Sequence, residues 1–252
     1  MAGSTPLVAV LVLWVCGVWT AVFAQEATYT LHYFASRGKA ETIRLLLNDL
    51  QLDYREIRYM RPPAVGPGMM DWEEEKPEGI ESGLFPFGQL PVLKHIHRPV
   101  LHKQGKDSGS VSMAQSGAIM NYIGRQHGLY GKDPFADMRI DEMIGGIADL
   151  KDKWRARFYG KDKTDEDIAA ALPLWREEVS TWLTFIENLK KKHGGQWMVG
   201  DELTLADFYA FEALDGAMRY VRSLLAPCTP VVLFAVYSKV TGCPSDRCRC
   251  LV

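Results

Sequence analysis

Cysteine is scarce in this chain and poorly placed for chemistry. Only five occur in 252 residues, Cys16 near the start and Cys228, Cys243, Cys248 and Cys250 crowded near the end. The Cys-x4-Cys-x-Cys spacing without a neighbouring histidine does not suit a tetrahedral zinc site, so no metal is expected there. In an oxidising compartment these four thiols can pair with one another or cross-link chains, with the connectivity left open. An excess of positive charge is also lacking. The formal net charge is -2 and no Lys/Arg stripe is interleaved with aromatics, which argues against nucleic acid as a partner. There is no N-x-[ST] acceptor for glycosylation and no internal repeat. With 47% hydrophobic and 24% charged residues, the composition is that of a folded globular protein with room for two modest domains.

Long apolar runs are confined to one place. Residues Pro6 to Ala24 carry no charge and end with Val22 and Ala24, the small-residue positions that a signal peptidase reads before Gln25. Residues 1–24 are expected to be a secretory signal, which places the protein in the secretory pathway or outside the cell. The run is long enough to be an uncleaved membrane anchor, the only route to a membrane location. A mis-assigned start would leave the protein cytoplasmic.

The segment Tyr29 to Arg44, YTLHYFASRGKAETIR, is the most informative in the chain. Tyr29, Leu31 and Tyr33 alternate with Thr30 and His32 in the period of two of a strand, and Ala40, Ile43, Leu46, Leu47 and Leu50 then recur at helical spacing. A strand therefore delivers a phenol, Tyr33, to the edge of a glycine-containing turn. Tyr54 to Tyr59 reads as a second strand, and the prolines and glycines of Arg61 to Gly68 as a loop. Leu90 to Ile96 reads as a third strand. A short fourth is expected near Val100-Leu101, before a polar stretch, Lys103 to Ser112, that reads as a surface-loop insertion. His95, His97 and His102 have no carboxylate or thiol placed with them and are expected to be exposed strand residues.

Beyond Asp133 the period changes. Ile140, Ile144, Ile147, Leu150, Trp154 and Phe158 mark one long helix, and Trp175, Val179, Trp182, Phe185, Ile186 and Leu189 a second that stops at His193-Gly194-Gly195. Thr204-x-x-Asp207 is a capping pattern. Its hydroxyl is expected to accept from the amide three residues on while Asp207 reaches back, with Leu203 and Phe208 as a hydrophobic staple, so Asp207 belongs to stability.

Several landmarks occur in order: Tyr33-Phe34 before Arg37-Gly38-Lys39, Gly88-Gln89-Leu90-Pro91-Val92-Leu93, Gln115-Ser116, Gly128-Leu129-Tyr130-Gly131, Asp149 in a long helix, and Gly200-Asp201-Glu202-Leu203-Thr204-Leu205-Ala206-Asp207-Phe208. Together they resemble tyrosine-type glutathione S-transferases of the sigma and pi sort over most of the chain. The resemblance implies an α/β thioredoxin-like domain at 27–130, an all-α helical domain at 134–240 and an atypical cysteine-rich tail at 241–252. The absence of a second apolar span excludes the multi-span membrane glutathione transferases.

What the resemblance implies for the site follows the same residues. Tyr33 is the catalytic phenol, and glutathione is the co-substrate. Lys39, Trp72 and Lys76 are at its carboxylate end. Gln89, Leu90 and a cis-Pro91 pair with its cysteinyl unit, and Gln115 and Ser116 hold the γ-glutamyl carboxylate at a helix N-terminus. Asp149 reaches the γ-glutamyl amine of the neighbouring subunit in a homodimer. Tyr159 faces the hydrophobic electrophile. Lys39 stands where relatives commonly have arginine, which keeps charge but loses the bidentate fork. Gly145 and Ala148 occupy places where prostaglandin-isomerising sigma members have acidic metal ligands, so no metal is carried over. The expected activity is conjugation of glutathione to small hydrophobic electrophiles, with detoxification as the role. The alternative is a catalytically weak glutathione-binding or structural relative, which Lys39, the insertion and the tail favour.

Overall fold

The computed structural model describes residues 28–96, 101–102, 105–106, 109–158 and 164–224. The apolar leader, Tyr159 and the cysteine-rich tail lie outside these residues, as does His97. Strand β1 (Tyr29–Phe34) is buried along nearly its whole length. It is the middle strand of a five-stranded sheet, so both of its edges are paired, and burial of successive residues means that both of its faces are covered as well. Its polar residues are buried with partners: Thr30 Oγ1 accepts from Arg55 Nε at 3.1 Å, and a ring nitrogen of His32 lies 2.9 Å from the Tyr59 hydroxyl.

A short 3-10 turn, Gly38–Ala40, leads into α1 (Glu41–Asp49), whose Ile43, Leu46 and Leu47 are fully buried at the predicted spacing. Strand β2 (Tyr54–Met60) returns parallel to β1, which is why a helix intervenes. The two-residue β3 (Met70–Asp71) follows the loop predicted from its prolines, and α2 (Trp72–Glu81) starts at once, capped by Asp71 accepting from the Glu73 amide. Strand β4 (Val92–Ile96) then runs antiparallel to β1.

The stretch read as a loop insertion is more ordered than its composition suggests. Leu101–His102 (β5) pairs with Gly105–Lys106 (β6) as a small hairpin, and Ser110–Ala114 (β7) forms the sheet edge antiparallel to β4. The expectation of a loop through Ser112 is therefore corrected. The alternating serines carry little strand propensity of their own, and the ladder with β4 supplies what local preference does not. The sheet order is β3-β2-β1-β4-β7.

The expectation that His95 is exposed is also corrected. It is 9% exposed, stacked on Tyr29 at 4.5 Å between centroids, and a ring nitrogen lies 2.6 Å from the Tyr122 hydroxyl. His95 shares a strand face with Leu93, and that face packs toward α3 (Ser116–Gln126).

The remaining elements are helices: α4 (Pro134–Phe158), α5 (Asp165–His193) and α6 (Leu205–Leu224). Helix α4 packs against both α5 and α6, and α6 also meets α1. One apolar cluster runs from Tyr29, Leu31 and Leu93 of the sheet through Ile43 and Ile119 to Leu205, Phe208 and Leu214. Thioredoxin-like sheet and helical part thus share a core. Phe185, counted among the apolar marks of α5, is 58% exposed. It stands about 100° round the helix from Ile186, outside the face that packs on α4.

Candidate functional site

Sheet register gathers residues that are far apart in sequence. His32 pairs with Val92, and Val92 in turn pairs with Ala114. One step further along each strand lie Tyr33, Pro91 and Gln115, so three adjacent strands present the phenol, the proline and the residue before α3 along one end of the sheet. Neighbouring strands are about 4.8 Å apart, so this row spans roughly 10 Å, the length of an extended tripeptide.

Tyr33 is 7% exposed. Its hydroxyl oxygen accepts a hydrogen bond from the Lys39 backbone amide at 2.7 Å. The amide can only donate, so the phenolic proton stays available for a ligand acceptor, and donation into the oxygen strengthens the O–H as a donor. Close approach of the turn needs Gly38. Its φ is +41°, in the region that favours glycine, and a Cβ there would overlap the Tyr33 hydroxyl.

The turn is also held from outside. Arg44 Nη1 donates to the carbonyls of Ser36 at 2.9 Å and Arg37 at 3.3 Å, and its guanidinium carbon lies 5.7 Å from the Tyr33 ring centroid. Arg44 in turn is paired with Glu56 at 2.5 Å and Glu41 at 3.0 Å. Arg37 reaches Glu41 at 3.1 Å and, across the molecule, Asp215 of α6 at 2.6 Å. Sequence reasoning missed Arg44, Glu56 and Asp215. The Glu41–Arg44 spacing is readable as a helical pair, but the other partners come from β2 and α6 and leave no local signal.

Trp72 is 2% exposed, at the centre of an aromatic cluster with Phe34, Tyr59 and Phe85 at centroid distances of 5.6, 5.5 and 5.2 Å. Lys76, one helical turn on, is half-buried with Nζ 5.8 Å from the Trp72 ring centroid. The cluster also lowers the basicity of its neighbour. Burial, with Arg55 and Lys94 nearby, brings His32 down to about 4, and burial together with Glu75 raises the Tyr59 phenol to about 12.

Gln89 is exposed and Leu90 half-buried, and the Leu90–Pro91 peptide is cis, as the sequence led us to expect. Gln115 has φ +69° and ψ 112°, a strained backbone for a residue with a Cβ. It sits at the N-cap of α3 without a side-chain cap bond, which leaves the first amides of the helix, at Ser116 and beyond, facing outward from the sheet end. Asp149 is exposed in mid α4 and makes no bond to the other site residues among the described residues. Tyr33, Lys39, Pro91, Gln115 and Ser116 are brought together, with Trp72 and Lys76 beside Phe34. Asp149 stands apart from them within this chain.

Asp207 belongs to a different corner. It is 4% exposed and accepts from the Met198 amide at 2.9 Å, the Thr204 amide at 2.9 Å and the Thr204 hydroxyl at 3.0 Å. The expected reach-back is present, but the Thr204 hydroxyl donates to the carboxylate instead of accepting from the amide. Burial holds the Asp207 carboxyl above its ordinary value, against the downward pull of its three donors. A reciprocal capping box occurs instead at Thr164 and Asp167, opening α5.

Comparison with known proteins accords with this geometry. Residues 148–245 match the model of the glutathione S-transferase C-terminal domain. The chain is 30% identical over 185 residues to glutathione S-transferase P 10 of Caenorhabditis elegans, covering 73% of each. Among solved structures it resembles the pi-class glutathione S-transferase of Onchocerca volvulus with a TM-score of 0.62 and 26% identity, covering 88% of this chain and 92% of that one. It also resembles a monomeric glutathione S-transferase of the hookworm Necator americanus with a TM-score of 0.57 and 25% identity, over 87% and 94% of the two chains. A middle β1 ending in a phenol, a cis-proline strand beside it, a helix opened by Gln115 and relatives matched over most of their length lead to one assignment: the chain belongs to the glutathione S-transferase family.

Proposed function

We propose that this protein is a glutathione transferase in which the Tyr33 hydroxyl stabilises the thiolate of glutathione for attack on small hydrophobic electrophiles, with detoxification as its role. The carrying observation is the Lys39 amide bonded to the Tyr33 oxygen, which leaves the phenolic proton free at the sheet end. A thiol with pKa about 8.5 is only roughly 3% thiolate at neutral pH. A hydrogen bond to a charged acceptor contributes about 1.5–3 kcal/mol, or about one to two pKa units, enough to make the thiolate a large fraction.

The rest of the tripeptide has partners in the same row. Its cysteinyl unit lies along Leu90 beside Pro91, with Gln89 at the rim. Its γ-glutamyl carboxylate meets the open amides of α3 at Gln115 and Ser116, where an anion is favoured. Lys76, packed on Trp72, and Lys39 serve the glycyl carboxylate. Asp149, exposed and apart, completes the site of a second copy in a sigma- or pi-like homodimer. Phe87 and Phe135, at 66% and 75% exposed, are apolar surface available to such a partner. The leader supports a secretory location, which cleavage after Ala24 on expressed material tests.

A broad panel of electrophiles with Tyr33→Phe beside the wild type is the direct experiment. Conjugation should slow by about ten- to a hundredfold with glutathione affinity nearly unchanged. Unchanged turnover removes Tyr33 from its role, and inactivity of the wild type across the panel favours the catalytically weak relative. Asp149→Ala should weaken glutathione binding more than turnover, and sedimentation shows whether the wild type is a dimer.

A further inference from the structure

Arg44 has no part in the reading above, yet its guanidinium lies beside the Tyr33 ring and bonds to the turn that follows it. Nε and Nη2 donate to one Glu56 oxygen at 2.9 and 2.5 Å, and Nη1 to Glu41 at 3.0 Å. Nη1 also meets the carbonyls of Ser36 and Arg37. Those carbonyls lie in the peptide units that enter Arg37 and Gly38, just before that of the Lys39 amide, which is the group bonded to the Tyr33 oxygen. An arginine that served only to pin α1 to β2 would need Glu56 alone and no carbonyls.

We propose that Arg44 is a positioning residue for thiolate stabilisation, acting through the backbone of the 36–39 turn to keep the Lys39 amide on the Tyr33 hydroxyl. The proposal rests on the Tyr33 reading. Only a planar fork of five N–H donors can span two carboxylates and two carbonyls at once, and lysine, with three donors on a flexible stem, cannot. Its effect is positional because its charge is already met. The charged groups facing the turn are Arg37 and Lys39 on the turn itself, Glu41 on α1, Glu56 and Arg58 on β2, and Asp215 on α6, and Arg44 is paired with two of the carboxylates among them.

The test is titration of the thiol of bound glutathione, followed by the ultraviolet absorbance of the thiolate, in the wild type, Tyr33→Phe, Arg44→Gln and the double variant. The Tyr33→Phe variant should move the midpoint up by about one to two pH units. Arg44→Gln should move it up by about half to one unit, the equivalent of one weakened neutral hydrogen bond. The double variant should show no shift beyond Tyr33→Phe alone, because Arg44 acts only through the phenol. An additive shift in the double variant, or none in Arg44→Gln, overturns the proposal, whereas no shift in Tyr33→Phe overturns the phenol reading itself. Arg44→Lys separates position from charge. It keeps the cation beside Glu41 and Glu56, so the fold is less at risk than in Arg44→Gln, and it should titrate like Arg44→Gln. A wild-type midpoint in Arg44→Lys overturns the proposal.

Discussion

Two corners of this molecule use the same device to opposite ends. At the end of β1 a buried side-chain oxygen, that of Tyr33, accepts from one backbone amide and keeps a proton to offer. Ahead of α6 another, that of Asp207, accepts from two amides and a hydroxyl and has nothing left to donate. A hydroxyl is both donor and acceptor, so tying it to the backbone orients it for a third party. A carboxylate only accepts, so tying it to three donors saturates it. One corner is poised for chemistry and the other holds the loop from Met198 to Thr204 against the helix.

The largest expected effect breaks the saturated corner. Asp207→Ala leaves three donors buried without an acceptor and should cost about 3–5 kcal/mol of stability, read as the urea midpoint. Conjugation per folded molecule should be unchanged.

His32, next to Tyr33, shows that the site strand also carries purely structural groups. Its folded-state pKa is lowered from 6.5 to about 4, so its contribution to stability is present above pH 6.5 and is lost as pH falls from there through about 4. The loss should amount to about 3 kcal/mol. In His32→Gln, the slope of stability against pH between those limits should flatten. An unchanged slope would assign the acid sensitivity elsewhere.

Gly38→Ala tests the poised corner without touching the phenol. The added methyl needs the space of the Tyr33 hydroxyl, so conjugation should fall at least about tenfold while stability drops by only about 1–2 kcal/mol. This is the mirror image of Asp207→Ala. The smallest effect belongs to Thr164→Ala. It removes an exposed version of the same T-x-x-D pattern and should cost about 1 kcal/mol, with no change in turnover. Equal losses at Thr164 and Asp207 would mean that burial is not what separates the two.

The two T-x-x-D segments mark how far local reading goes. In both segments the threonine hydroxyl donates to the aspartate, but only Thr164 also accepts from the amide three residues on and so forms the reciprocal box that the pattern predicts. The Asp207 amide bonds instead to the Thr204 carbonyl, and the Asp207 carboxylate also serves Met198. Strand β1, helix α1 and the two long helices α4 and α5 were legible because their apolar spacing is strong, even though β1 is buried on both faces. Strand β7 was not, since its serines pair with β4 by virtue of position alone. His95 looked like a surface histidine until β4 was laid against β1 and α3. Within the site, Tyr33, Pro91 and the Gln115-Ser116 pair were marked by motif, but the hold of Arg44 on the turn carbonyls and of Asp215 on Arg37 was invisible, because each acts on the turn from another element.

By itself the sequence determined the periodicities, the turn residues and the order of the family motifs, because these depend on neighbours within a few residues. Tertiary structure alone decided which of those motifs meet. The registers of β1 with β4 and of β4 with β7 align Tyr33, Pro91 and Gln115. The packing of β2 and α6 around residues 36–39 brings Glu56 and Asp215 to the charges that clamp the turn. Such contacts are set by the free energy of burying a shared core, and no local propensity encodes them.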